Sequence, residues 1–312
     1  MFVVCGEALM DVFAQSDTPT GTALDARVGG SPFNVAVGLA RLAQAVSFFG
    51  ALSRDLLGER LLRVLCDENV GTASIARVDA PTTLGLVGTD SRGVPSYTFY
   101  GDGGADRQLE IDALEKLPMQ VAAVHLGSYA TVVEPVASTL RGLVEREHVR
   151  ALISYDPNVR LNVEPDLTRW RSALQWMLSR THLLKISEED LSLMQAGVSQ
   201  QEFAEDALRQ GVGLVVVTRG VDGATAWTES ASASVSAVEV PVVDTVGAGD
   251  SFQAALLTWL AEHHRLSRQA CRSMVAPQLR EALHFAVRAA SITCSRRGAD
   301  LPRRSELLGT QN

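Results

Sequence analysis

The sequence predicts a doubly wound α/β fold, with a mostly parallel sheet, helices on both of its faces and a small β flap beside it. Short apolar runs rich in β-branched residues alternate along the chain with stretches of helical period, the pattern of strands linked by crossover helices. One segment, 80–107, breaks that rhythm. It alternates apolar and polar residues around the turn signal "DSRG" (90–93) and has no helical period, as expected of an antiparallel hairpin standing off the main sheet. With 312 residues the chain can bury a large core, and 1–312 reads as one domain without repeats or an obvious linker.

Taken in order, strands are expected in 1–13, 46–52, 121–130, 151–158, 182–187 and 213–220, where apolar residues run together as they do in strands buried on both faces. Helices are expected at 32–43, 55–68, 134–147, 166–180, 188–195 and 200–211. The continuation of the first strand, about 11–28, can pair with 80–107. The resulting small sheet suits a lid over a ligand or an edge used for homodimerisation. Near the C-terminal end, Phe252, Ala255, Leu256, Trp259 and Leu260 mark one apolar face of a helix over 249–262. A second helix, 278–295, carries Leu279, Leu283, Ala286, Val287 and Ala290, with Gly298 as its expected C′ residue.

Composition narrows the function classes. Apolar residues make up 46% and charged residues 21%, and no run of about 18 apolar residues suggests a transmembrane helix. The opening "MFVVCGEALMDVF" lacks a basic n-region and meets Glu7 and Asp11 early, unlike a signal peptide. A net charge of −8 argues against a nucleic-acid surface. Cys5, Cys66, Cys271 and Cys294 are scattered, with neither C-x-x-C nor metal spacing, so buried reduced thiols are expected. His263 and His264 at a helix end suit a solvated or dipole-facing role. Together these features predict a cytoplasmic protein with no membrane or nucleic-acid partner. Lysine occurs only at 116 and 185, neither after a glycine, which excludes a P-loop.

The chemistry concentrates in a few strings. In "DTVGAGDSFQAALL" (244–257), Gly247, Ala248 and Gly249 let backbone N–H groups converge on an anion at a helix N-terminus. Asp250 there is either a plain helix cap or a carboxylate placed inside an anion site. In "GGSPFN" (29–34), Gly29 and Gly30 allow close approach of a polyol, and Asn34 can donate to and accept from hydroxyls. Ser31 is the expected N-cap there, with Pro32 at N1. Asp11, at a strand end, can hold two vicinal hydroxyls or only cap a turn.

These strings resemble the ribokinase-like (PfkB) carbohydrate kinases, whose anion-hole pattern D-T-x-G-A-G-D is matched at every fixed position by 244–250 and whose G-G-x-x-x-N-x-A pattern resembles 29–36. The resemblance runs from Gly6 to about Gly298. It implies a ribokinase-like fold in which Asp250 takes the proton from a sugar hydroxyl while the amides of Gly247, Ala248 and Gly249 stabilise the transferring phosphoryl group. It further implies that Asp11, Gly29, Gly30 and Asn34 bind the sugar. "VTRGVDGA" (217–224) is similar to the family's T-x-G-x-x-G loop, which puts Thr218, Gly220 and Gly223 near the nucleotide. "KISEED" (185–190) stands at the N-x-x-E element, with Lys185 in place of Asn and Glu188 holding ATP-bound Mg²⁺ through water. The resemblance also implies a K⁺ site of backbone oxygens from Asp244, Val246 and the loop from Thr293 to Gly298. Within the family, "YDPNVR" (155–160) and "YTFYGDGGAD" (97–106) are most similar to bacterial fructokinases, in which Arg160 and the lid aromatics Tyr97 and Phe99 meet the sugar. Gly101, where relatives acting on 2-keto-3-deoxygluconate usually carry Arg, disfavours an acidic sugar. The expected reaction is D-fructose plus ATP giving fructose 6-phosphate plus ADP. The alternatives are a kinase for ribose, 2-keto-3-deoxygluconate or adenosine, or a non-catalytic sugar-sensing relative.

Overall fold

The computed structural model describes residues 1–89 and 95–308. The turn expected at 90–93 lies outside the described residues. The chain opens with β1 (Phe2–Cys5), which feeds a long pair, β2 (Leu9–Thr18) and β3 (Gly21–Gly29). Then come α1 (Ser31–Arg41), β4 (Val46–Phe49), β5 (Ala51–Ser53), α2 (Leu56–Asp67) and β6 (Ala76–Val78). The flap strands β7 (Leu84–Thr89) and β8 (Pro95–Tyr100) follow. Alternation then takes over with β9 (Ala123–Gly127), α3 (Val136–Glu147), β10 (Leu152–Asp156), α4 (Leu167–Leu178) and β11 (Leu183–Ser187). Helices α5 (Glu188–Met194) and α6 (Gln200–Arg209) lead to β12 (Leu214–Thr218), β13 (Ala224–Trp227) and β14 (Ser232–Val235). The chain closes with α7 (Ala248–Glu262), α8 (Arg268–Arg272), α9 (Ala276–Cys294) and α10 (Arg304–Leu308).

The main sheet has the order β14-β13-β12-β11-β10-β9-β1-β4 and is parallel from β4 through β12, with an antiparallel edge made by β13 and β14. Its strands feed two cores by simple alternation. Phe2, Val4, Leu214 and Val216 face the cluster packed by α1, α2, α7 and α9, whereas Val3, Cys5, Val215 and Val217 face the one packed by α3, α4 and α6. A second sheet, β3-β2-β7-β8, stands apart, with β2 parallel to β7 and both outer pairs antiparallel. It joins 11–28 to 84–100 as the sequence suggested. Among the described residues, no helix is long and apolar enough to cross a membrane.

Four expectations are corrected. Helix α7 is not amphipathic, because residues 251–260 are buried all round, including Gln253 and Thr258. It lies between α1 on one side and α9 on the other, so both of its flanks are core. The Thr258 hydroxyl is satisfied by the Ala254 carbonyl, one turn back. Gly298 is not the C′ residue of α9, which ends at Cys294; it adopts φ 70° four residues later and donates its N–H to Asp244 Oδ2. Ser31 is not the N-cap of α1. That position is Gly30 at φ 102°, where a Cβ would lie 2.7 Å from the Glu7 carbonyl oxygen. Of the cysteines, Cys5 and Cys271 are buried, but Cys66 is exposed and Cys294 only partly covered, and all four are free thiols.

Candidate active site

The C-terminal ends of the parallel strands and the inner face of the small sheet enclose a cavity of about 430 Å³. Asp11, Gly30, Asn34, Phe99, Arg160, Val246, Gly247, Gly249 and Asp250 all border it. Residues spread over 240 positions of sequence thus meet in one place. Gly29 lies just behind, where any side chain would collide with the Asp11 carboxylate. Ala248 is the first residue of α7. The backbone of Tyr97 lies in β8, but its side chain is outside the described residues.

Asp250 does not cap its helix. The N-cap is Gly247, held at φ 78° with Ala299 packed so closely that a Cβ would come within 2.7 Å of it. The two Asp250 oxygens turn instead to α1: Ser31 Oγ donates to Oδ1 at 2.7 Å and Asn34 Nδ2 donates to Oδ2 at 2.8 Å. Burial raises the Asp250 pKa above the ordinary carboxylate value, opposed by these two hydrogen bonds and by the Lys185 ammonium, while Asp156 adds to the rise. The helix N-terminus alone predicts a lowered value; desolvation outweighs it.

Asp11 is pushed up to about 6, chiefly by burial; Arg160 opposes the rise, whereas Asp250 and Asp244 add to it. Arg160 donates to the Val159 carbonyl, and among the described residues it has no carboxylate partner within ion-pair distance, so its guanidinium is available to a ligand. Glu7, Ser128 and Tyr129 also line the cavity and left no readable signal in the sequence. Glu7 is buried with Oε2 unpartnered, and its carboxyl is pushed up to about 8 by burial, against a hydrogen bond with Ser128. Ser128 sits at φ 56°, and Tyr129 donates to Asp106, which also receives the Thr83 hydroxyl at the base of β7. Asn158, at φ 43°, had a weak signal: an Asn following Asp-Pro is a common left-handed position.

Of the residues expected at the nucleotide, Gly247 and Gly249 border this cavity, whereas Lys185, Thr218, Gly220 and Gly223 do not. Thr218 ends β12, and Gly220 and Gly223 shape the 3₁₀ turn into β13, where a Cβ on Gly223 would strike the Val235 carbonyl. Glu188 is the exposed first residue of α5; its Oε1 accepts from Gln200, and Oε2 has no hydrogen-bond partner among the described residues. Lys185 is buried, paired at 2.6 Å with Asp156 and set against Gly249. Asp244 clamps the two loops of the expected cation site together, its carboxylate receiving Val246 N–H at 3.0 Å and Gly298 N–H at 2.8 Å. The Thr293 carbonyl accepts from Arg296 N–H, while its hydroxyl meets Ser251.

An acid set in a polyol-sized cavity at a glycine-lined helix start, under a separate β sheet, defines a ribokinase-like α/β protein. The chain belongs to the pfkB family of carbohydrate kinases, whose family model matches residues 1–306. It is 32% identical over 280 residues to a fructokinase of Rhizobium leguminosarum bv. trifolii, covering 90% of this chain and 86% of that one. Among solved structures it resembles the fructokinase of Xylella fastidiosa with bound ATP, with a TM-score of 0.87 and 26% identity over 98% of this chain and 96% of that one. It also resembles a double mutant of the Vibrio cholerae O395 fructokinase bound to fructose, ADP and potassium ion. That match has a TM-score of 0.84 and 26% identity over the whole of this chain and 98% of that one.

Proposed function

We propose that the chain is a cytoplasmic ATP-dependent sugar kinase acting on D-fructose, with fructose 6-phosphate and ADP as products. The observation that carries this reading is the position of Asp250, which borders the same cavity as Asp11, Asn34 and Arg160 and follows directly on the Gly247–Gly249 turn. A sugar held by Asp11, Asn34 and the Arg160 fork brings one hydroxyl to Asp250. The hydroxyl oxygen attacks the γ-phosphorus and its proton passes to the Asp250 carboxylate. The bond to the β-bridging oxygen breaks, leaving its electron pair on ADP. Backbone N–H groups at the start of α7 meet the charge on the transferring group.

The nucleotide is bound as MgATP, the ion neutralising its phosphates. Glu188, exposed and with Oε2 unpaired among the described residues, fits a water-mediated contact to that ion. The loops joined by Asp244 fit a K⁺ site of backbone oxygens. The small sheet acts as a lid that moves over the bound sugar, and the exposed Leu24 on β3 supports its second use as a contact between two copies.

The test is ADP release across fructose, ribose, 2-keto-3-deoxygluconate and adenosine. Fructose is expected to give the highest kcat/KM. A higher value for any of the others reassigns the substrate, and no sugar-dependent ADP with any of them would refute the kinase reading.

A further inference from the structure

We propose that a second cleft, at the N-terminal ends of β10 and β11, binds a phosphate group through the Arg268 guanidinium and the His182 ring N–H. The site is independent of the kinase reading, because these strands run from this cleft toward the candidate active site and the two lie at opposite ends of the sheet. The cleft has a volume of about 480 Å³ and is bordered by Arg150, Arg268, His148 and His182, with no acidic side chain among its described lining residues. Such a lining is unexpected in a chain of net charge −8. Three separate segments supply it. The turn from α3 into β10 carries His148 and Arg150, His182 immediately precedes β11, and Arg268 opens α8. Gly213 lets two of these segments close on each other, since a Cβ there would lie 2.9 Å from the Arg268 carbonyl oxygen and 3.1 Å from that of His182.

The donors in the cleft are uncommitted. Among the described residues Arg268 has no carboxylate within ion-pair distance. Its Nη2 donates to the Ser179 carbonyl at 3.1 Å, whereas Nη1 has no partner and Nε is buried without one. Burial, with repulsion from Arg272 added, lowers the Arg268 pKa, yet a guanidinium keeps its charge in a protein. A half-buried cation without a counter-ion is under-solvated, and a bound anion offsets that cost. His182 is only 5% exposed, and its Nδ1 accepts the Ile153 N–H at 2.9 Å. The ring proton therefore sits on Nε2, which has no partner among the described residues. Burial, with repulsion from Arg268 and His148 added, pushes the His182 pKa down to about 4, so the ring is a neutral donor. Arg150 commits Nε and Nη2 to Glu147, which Arg146 also holds, and keeps Nη1. Donors arriving on three segments suit the tetrahedral oxygens of a phosphate better than a planar carboxylate. The volume also leaves room for a small molecule that carries the phosphate.

The experiment titrates the wild type, Arg268→Gln and Arg268→Lys with inorganic phosphate and with glycerol 3-phosphate at constant pH and ionic strength, following the His182 ring nitrogens by NMR. Expected is a saturable shift in the wild type. Binding should be roughly tenfold or more weaker in Arg268→Gln, as for loss of a charge-assisted hydrogen bond, and intermediate in Arg268→Lys. Tighter binding of glycerol 3-phosphate assigns the site to a phosphate ester, and equal binding assigns it to the free anion. The amides of Gly247–Gly249, at the other end of the sheet, should respond identically in the wild type and Arg268→Gln, which separates this site from phosphate in the catalytic cavity. No saturable shift at His182, or one that Arg268→Gln leaves unchanged, overturns the proposal. An equal shift with acetate overturns it as well, since the site would then take any small anion. If Arg268→Gln does not fold, Arg150→Gln, which leaves Glu147 paired with Arg146, is read in the same way. No readout uses turnover, so a failure of the kinase reading leaves this test standing.

Discussion

Asn34 and Asp250, 216 residues apart in the chain, are joined by a 2.8 Å hydrogen bond from Nδ2 to Oδ2. The expected sugar-binding amide thus holds the expected base. With Ser31 it fixes the carboxylate plane, so α1 sets the direction in which the Asp250 oxygens point. Asp250→Asn can keep both contacts, its Oδ1 accepting from Asn34 and its amide donating to the Ser31 hydroxyl. The variant should fold and bind sugar while kcat falls by roughly 10²–10⁴, the usual cost of losing a positioned base. Near-wild-type kcat would leave Asp250 a structural anchor.

Arg160 should act on the sugar alone. Its guanidinium borders the cavity, and a charge-assisted hydrogen bond is typically worth about 1.5–3 kcal/mol, or roughly ten- to a hundredfold in affinity. Arg160→Ala should raise the KM for fructose on that scale and leave that for ATP nearly unchanged. A selective rise in the KM for ATP places residue 160 on the nucleotide side.

Lid movement should be visible in the backbone of β8. Amide exchange at residues 97–100 is expected to slow under saturating fructose, because closure shields a strand at the edge of its sheet. Unchanged exchange removes the lid role.

Potassium dependence follows from the two loops joined by Asp244. The rate should be higher in K⁺ than in a bulky organic cation at equal ionic strength. Equal rates dispose of the cation site.

Glu7 makes stability depend on pH. Its native carboxyl is raised to about 8 from an ordinary value of 4.5, so the native state holds a proton that the unfolded chain gives up. The stabilisation from this proton is complete below pH 4.5 and is lost as pH rises to about 8, at a slope of roughly 1.4 kcal/mol per unit. Glu7→Gln should therefore gain Tm relative to wild type as pH is raised from about 5 to 8. Parallel Tm–pH curves for the two proteins would show that Glu7 is already ionised in the native state.

What could be read in advance differed in kind from what could not. Local periodicity placed α1, α2 and α6 within two residues of their observed ends, because core-facing side chains recur along a single element. Glycine-rich strings placed Gly30, Gly247 and Asp250 at the cavity, because backbone approach demands those residues locally. The bond from Ser31 to Asp250 and the pair between Lys185 and Asp156 were hidden. Each joins side chains whose separate spellings also suit an ordinary cap or strand end, and only strand order makes them neighbours. The all-round burial of α7 was missed for a related reason. Serine, glutamine and threonine on its sequence suggest a wet face, yet Ser251, Gln253 and Thr258 find partners in Thr293, Ser154 and the helix backbone.

That buried helix has a consequence for how the protein is made. Gly38 on α1 leaves no room for a side chain between Ala254 and Leu301, so α1 completes its packing against segments synthesised well after it. Until they emerge, the nascent chain carries the apolar flank of α1 and one side of the sheet uncovered, in the form that chaperones bind and neighbouring chains stick to. Asp250 arrives on the same late segment. A chain terminated before α7 therefore lacks both that helix and the Asp250 carboxylate.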